Sequence, residues 1–136
     1  MIYWFTGQPG SGKTTLANAL ALELGTIVVD GDVLRRAHPT GFDMRSRHEN
    51  VLRAQITAEY LNEALGNVCV AVIAPYKEQR DMFKDRMDGD LIEIYCHTSE
   101  IRGKESFFAE DYEPPEERFI DMDTTTRSVE DCLGLL

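Results

Sequence analysis

Short apolar runs alternate along the chain with longer stretches in which apolar residues recur every three or four positions. The short runs predict strands at Ile2 to Thr6, Thr26 to Asp30, Val68 to Ile73 and Leu91 to Tyr95, with a weaker fifth near Phe119 to Met122. The longer stretches predict helices. The first covers Lys13 to Leu24 and stops at Gly25. The second starts near Met44 and ends before Gly66, with Val51, Ala54, Ala58, Leu61 and Leu65 on one stripe. A third covers Lys77 to Met87 behind Pro75, and a last runs from Ser128 to Leu136 with Ser128 as N-cap and Asp131 three residues later. Between Glu100 and Pro115 the periodicity breaks, predicting a surface loop, either ordered or mobile. Strands alternating with helices imply an α/β protein with a parallel sheet.

The 136 residues give room for one domain, 1–136, with a single sheet-based core. No apolar run approaches the length of a membrane span, and no leader pattern precedes the first strand. Net charge is -10, which argues against long nucleic acid as a partner. Cys69, Cys96 and Cys132 are odd in number and widely spaced. That pattern suits reduced thiols in a cytoplasm better than a disulfide framework or a metal knuckle.

Chemistry enters after the first strand. Gly7-Gln8-Pro9-Gly10-Ser11-Gly12-Lys13-Thr14 has the spacing G-x-x-x-x-G-K-[ST], between a predicted strand and a predicted helix. Gly7, Gly10 and Gly12 let the backbone curl so that N–H groups, including that of Ser11, converge on an anion. The helix N-terminus adds its own unpaired N–H groups. Lys13 is the point charge for the β- and γ-phosphates of ATP, Thr14 supplies a hydroxyl for Mg²⁺, and Thr15 helps start the helix. The pattern alone does not separate a kinase from a switch or a motor.

The second strand runs into Asp30-Gly31-Asp32. Ligands of open α/β sheets bind beyond the carboxyl ends of the strands, so both carboxylates belong on the edge that carries the phosphate loop. Phosphoryl transfer to an alcohol needs one carboxylate for the acceptor hydroxyl and one on the metal side. We assign Asp32 to the first task and Asp30 to the second, and the reverse division satisfies the same pattern. The third strand ends in Ala74-Pro75 with no carboxylate to compete for the metal role.

The acidic chain is basic in one place. Residues 31 to 55 hold Arg35, Arg36, Arg45, Arg47 and Arg53, whereas 105 to 136 hold ten acids against Arg118 and Arg127. Arginine binds phosphate and sulfate through a planar fork. At about 100° per residue, Arg47 shares the stripe of Val51, Ala58 and Leu65, with Asn50 roughly 60° to one side. The first turn of that helix lies over the carboxyl ends of the strands, so Arg47 and Asn50 face the ligand crevice. Arg53 lies about 120° from Arg47 and points less clearly. His38 and His48 read as surface residues.

These segments together resemble the adenylylsulfate kinase family, over nearly the whole chain. Asp30-Gly31-Asp32-Val33-Leu34-Arg35 is similar to D-G-D-N-[IL]-R. Phe42, Arg47, Asn50 and Arg53 match F-x4-R-x2-N-x2-R, and Ile73-Ala74-Pro75-Tyr76 resembles I-S-P-Y. Lys77 to Arg80 resembles R-x-x-R, Leu91 to Tyr95 resembles F-I-E-V-Y, and Tyr112 to Pro115 matches Y-E-x-P. The resemblance implies a five-stranded parallel sheet of order 2-3-1-4-5, a homodimer, and ATP- and Mg²⁺-dependent phosphorylation of the 3′-hydroxyl of adenosine 5′-phosphosulfate (APS). It implies substrate contacts at Arg35, Phe42, Arg47, Asn50 and Pro75, with the phenylalanine stacked on adenine.

The chain departs from the family at Val33 and Ala74, which replace Asn and Ser, and most of all in a shortened lid at about residues 100–115. Lys104 and Phe107 are the candidates there for the family's lid lysine and capping aromatic. The short lid leaves two further readings: a kinase of another hydroxyl (a modified nucleotide, a polynucleotide end or a sugar), or a nucleotide-binding module without turnover.

Overall fold

The computed structural model describes residues 1–136. Five strands form one parallel sheet: β1 (Ile2–Thr6), β2 (Val28–Asp30), β3 (Val68–Ala71), β4 (Leu91–His97) and β5 (Phe119–Asp123), in the order β2-β3-β1-β4-β5. The helices are α1 (Lys13–Leu24), α2 (Gly31–Ala37), α3 (Met44–Leu65), α4 (Lys77–Met87) and α5 (Val129–Leu133). A 3₁₀ turn spans Glu105–Phe107.

Alternation along β1 divides the core. Ile2 and Trp4 face one layer with Val51, Ala54 and Ala58 of α3 and Phe83 of α4. Phe5 faces the other with Leu16, Leu20 and Ala21 of α1 and Cys132 of α5. Both faces of the sheet are therefore covered, as a parallel sheet requires. No helix is long and apolar enough to cross a membrane.

Helices α1, α3 and α4 have the predicted bounds. β2 starts two residues later than expected, because Thr26 is drawn to the end of α1, its N–H donating to Ala21 (2.9 Å) and its Oγ1 to the Asn67 carbonyl (2.5 Å). β3 ends at Ala71 rather than Ile73, since the chain turns away through Ala74, which sits at φ 48°. β4 runs on to His97 because β5 extends alongside it, pairing Cys96 with Met122 and His97 with Asp123. The last helix ends at Leu133, not Leu136, while its expected Ser128–Asp131 capping box is present.

Helix α2 is not among the elements the periodicity predicts. It buries only Gly31, and Val33 is half exposed, so it carries no apolar stripe to read. Asp30 starts it: Oδ1 accepts from the N–H groups of Asp32 (2.8 Å) and Val33 (3.2 Å).

One charged group lies inside the sheet layer. Glu93 of β4 is 1% exposed and accepts from Arg80 Nε (3.1 Å) and Lys84 Nζ (2.7 Å), both on α4 and both buried. Arg80 also donates through Nη1 to the Ala74 carbonyl (2.6 Å) and through Nη2 to the Glu113 carbonyl. This cluster joins α4, β4, the turn after β3 and the segment leading into β5.

Candidate active site

The loop between β1 and α1 passes so close to β4 that a Cβ at Gly7 would lie 2.2 Å from the Cys96 carbonyl oxygen, and Gly7 itself has φ 149°. Only glycine fits there. Gly12 precedes α1 at φ 101° in the left-handed region. The curl returns Lys13 beneath the loop, where it is 8% exposed and its Nζ donates to the Gln8 carbonyl (2.9 Å). Burial pulls the Lys13 ammonium down to about 8, partly offset by the nearby Cys96, Asp32 and Asp30. Both carboxylates thus lie within electrostatic reach of Lys13.

A cavity of about 690 Å³ opens between the loop and the carboxyl ends of β2 and β3. Of the residues expected at the site, Gly10, Lys13, Thr14, Asp30, Asp32, Arg35, Phe42, Arg47, Asn50, Pro75, Lys104 and Phe107 all line it. Gly7, Ser11, Gly12 and Thr15 do not: the first three shape the loop from behind, and Thr15 is exposed at the start of α1. Arg53 also stays outside, with Nη2 beside His38 Nε2 (3.5 Å), and His38 and His48 are exposed.

Asp30 divides its oxygens. Oδ1 caps α2, and Oδ2 accepts from the Thr14 hydroxyl at 3.3 Å. These are hard oxygen donors at the edge of the phosphate loop. A Mg²⁺ ion takes one or two protein oxygens of this kind together with phosphate oxygens and water, so the donor set fits it. The Asp32 carboxylate is exposed to the cavity and engages no protein group.

The wall next to the acidic turn is basic and incompletely satisfied. Arg35 lies over the Phe42 ring (4.3 Å to the centroid), and its buried Nε has no partner. Asn50, 3% exposed, donates to the Gly31 carbonyl (3.3 Å) but leaves its buried Oδ1 unpaired. Buried polar atoms are nearly always paired, so unpaired ones in a cavity wall mark where a polar ligand would complete them. Arg47 donates through Nη1 to Asp111 (3.0 Å), whose other oxygen accepts from the Tyr76 hydroxyl (2.8 Å).

Segment 100–115 forms the cover, and its anchors were not legible in the sequence. Arg102 reaches the carbonyls of Gly10 (3.0 Å) and Thr124 (2.7 Å). The stem of Lys104 lies against Gly10, whose added Cβ would meet it at 3.2 Å. Tyr112 shares a hydrogen bond with Thr6 Oγ1 (2.9 Å). The cover is held by these contacts and by the 3₁₀ turn at Glu105–Phe107. A lone polar residue in an aperiodic stretch signals none of them, although Arg80, Glu93 and Tyr112 each stood in a segment already marked by resemblance.

The sequence model described as adenylylsulphate kinase matches residues 1–106. The adenylyl-sulfate kinase of Acaryochloris marina is 35% identical over 157 positions, covering 96% of this chain and 77% of the relative. That of Prochlorococcus marinus is 31% identical over 159 positions, covering 98% and 79%. Since this chain has 136 residues, both relatives carry more than twenty residues it lacks. Among solved structures, the Mycobacterium tuberculosis APS kinase CysC in complex with AMPPNP and APS superposes with a TM-score of 0.79 at 26% identity, over 98% of this chain and 95% of that one. A Sinorhizobium meliloti gluconokinase, 18% identical with a TM-score of 0.73, shares the fold alone. With the family model spanning the phosphate loop, the acidic turn and the basic wall, this chain belongs to the adenylylsulphate kinase family.

Proposed function

We propose that the chain transfers the γ-phosphoryl group of ATP to the 3′-hydroxyl of APS, giving 3′-phosphoadenylylsulfate and ADP. The observation that carries this reading is the common cavity. Lys13, the Thr14–Asp30 pair and Asp32 line it together with Arg35, Arg47 and Asn50. A triphosphate at the loop and an acceptor with an anionic tail would meet beside Asp32.

The loop amides and Lys13 hold the transferring phosphate, and the low exposure of Lys13 strengthens its field. Thr14 and Asp30 would hold Mg²⁺. When bound, the ion neutralises charge on the β- and γ-phosphate oxygens. Asp32 orients the acceptor hydroxyl and takes its proton. Arg35, Arg47 and the free Oδ1 of Asn50 hold the acceptor. Pro75 and Lys104 bound its space, and Phe42 and Phe107 supply rings at the mouth, where both are largely exposed.

An acceptor panel tests the reading. Wild-type protein is given labelled ATP with APS, AMP, a sugar, a nucleoside and an oligonucleotide end, and products are separated. APS should be phosphorylated with the highest kcat/KM. In the same assay Asp32→Asn should lower kcat about 10²-fold, the low end for a general base, because a loose phosphoryl transition state asks little deprotonation of the hydroxyl. Turnover of another acceptor with none of APS would defeat the assignment.

Proton linkage gives a second test. Only the ammonium form of Lys13 attracts phosphate, and in the free protein it loses its proton around pH 8. Nucleotide affinity should therefore be full below pH 8 and fall several-fold above it, levelling off at what the loop N–H groups supply alone, with proton uptake on binding. Calorimetric titration of AMPPNP in buffers of different ionisation enthalpy reads both effects. Lys13→Arg, which keeps its charge, should flatten the profile. A wild-type profile flat from pH 7 to 10 would contradict this.

All three cysteines are buried and unpaired, which suits a reducing compartment, and we assign the protein to the cytoplasm. We read its assembly as a homodimer, by family resemblance. A solved relative from Thiobacillus denitrificans is a hexameric APS kinase, so sedimentation equilibrium should decide, with a monomer or hexamer rejecting the dimer.

A further inference from the structure

The second residue of the phosphate loop carries a long amide with a donor and an acceptor at one end. Gln8 Nε2 donates to the Ala109 carbonyl (2.8 Å), and Gln8 Oε1 accepts from the Ala109 N–H (2.9 Å). One side chain thus pairs both backbone groups of one residue, 101 positions away in the chain. Ala109 is 3% exposed, whereas Phe107, Phe108 and Glu110 on either side are exposed. In a stretch without strand or α-helix, this is a pin on both backbone groups of one residue, beside the side-chain anchors at Arg102 and Tyr112.

The pin ties the phosphate loop to the segment that covers the cavity. The Gln8 carbonyl accepts from Lys13 Nζ at the phosphate end. Ser106, Phe107, Phe108 and Ala109 line the same cavity as Arg35, Arg47 and Asn50. A cover with no strand or α-helix of its own packs little on itself, and the contact with Gln8 helps hold it.

We propose that Gln8 is a positioning residue that holds segment Ser106–Ala109 closed over the acceptor. This rests on the kinase reading given above. Gln8 touches neither the reacting phosphorus nor the hydroxyl and acts through Ala109. When the pin is lost, the acceptor loses the wall that includes Phe107 and Phe108, and water gains entry. A water oxygen then forms the new bond to the γ-phosphorus in place of the 3′-oxygen. The bond from that phosphorus to the bridging oxygen breaks, ADP leaves with the electron pair, and the water's proton passes to solvent.

Gln8→Leu keeps the volume and removes both hydrogen bonds, and Gln8→Glu keeps only the acceptor. Three quantities are measured on the full chain: KM for APS, ADP release without acceptor, and hydrogen exchange at the Ala109 amide. For Gln8→Leu, KM for APS should rise about tenfold, the size expected for two modest hydrogen bonds. Idle ADP release should rise several-fold, Ala109 should lose its exchange protection, and KM for ATP should change less than KM for APS. Gln8→Glu should fall between the two. A parallel rise in both KM values with a lowered Tm and no gain in idle hydrolysis would mean that Gln8 only maintains the loop, and would overturn the proposal. Wild-type values on all measures would overturn it as well. If the wild-type chain does not use APS, the substrate reading fails instead. The exchange and idle-hydrolysis measurements then still decide for or against the pin.

Discussion

Lys13→Ala should lower kcat about 10³-fold, or ~4 kcal/mol of transition-state stabilisation, while raising KM for ATP much less. The asymmetry follows from the loop. The N–H groups gathered between Gly7 and Thr14 bind a triphosphate in its ground state whether or not the ammonium is present. Charge moves onto the bridging and γ-phosphate oxygens only during transfer, and there the buried Lys13 cation acts in a poorly solvated setting. Steady-state kinetics with APS saturating would check this. A loss of affinity with unchanged kcat would make Lys13 a binding residue, and unchanged turnover would remove it from the mechanism.

Glu93→Gln should cost about 3–5 kcal/mol of stability, because it leaves Arg80 and Lys84 buried without their shared counter-charge. For a chain of this size that corresponds to roughly 10–20 °C in Tm, a large part of a typical total stability of about 5–15 kcal/mol. Asp81 reaches Lys84 (3.3 Å), but it also serves Lys77 (2.7 Å), so it compensates only in part. Replacing the triad together by apolar residues of similar volume should cost far less than the single change, since both the charges and the need to pair them disappear. Because Arg80 also holds the Ala74 and Glu113 carbonyls, the single variant should raise KM for APS as well. Differential scanning calorimetry settles the stability claim, and a Tm shift under about 3 °C would show that the cluster is not the strut its burial implies.

How much of this was legible in the sequence depended on whether a feature repeats. Helix α3 announces its buried stripe every turn, and that stripe alone was enough to turn Arg47 and Asn50 toward the crevice. The phosphate loop is legible because its backbone curl requires glycine at fixed spacing. Asp30 was only half legible: its place after the second strand marked it for the phosphate-loop edge, and its two oxygens prove to serve the α2 cap and Thr14 at once. Helix α2 escaped because it buries almost nothing. The contacts of Gln8 with Ala109, Arg102 with Gly10 and Thr124, and Asp111 with Arg47 each join distant segments through a single side chain, so no periodic signal reports them. Glu93 did leave a trace: a carboxylate in an apolar strand, preceded by basic residues four apart on one helix face, is a pattern that asks for a buried ion cluster.

What fills the cavity is decided by a crystal structure of the complex with AMPPNP, Mg²⁺ and APS. The triphosphate is expected in the loop over Lys13 and Thr14, the APS 3′-hydroxyl within hydrogen-bonding distance of Asp32, and the phosphosulfate against Arg35 and Arg47. APS bound elsewhere, or seated with its 3′-hydroxyl turned away from Asp32 and the γ-phosphate, would contradict this.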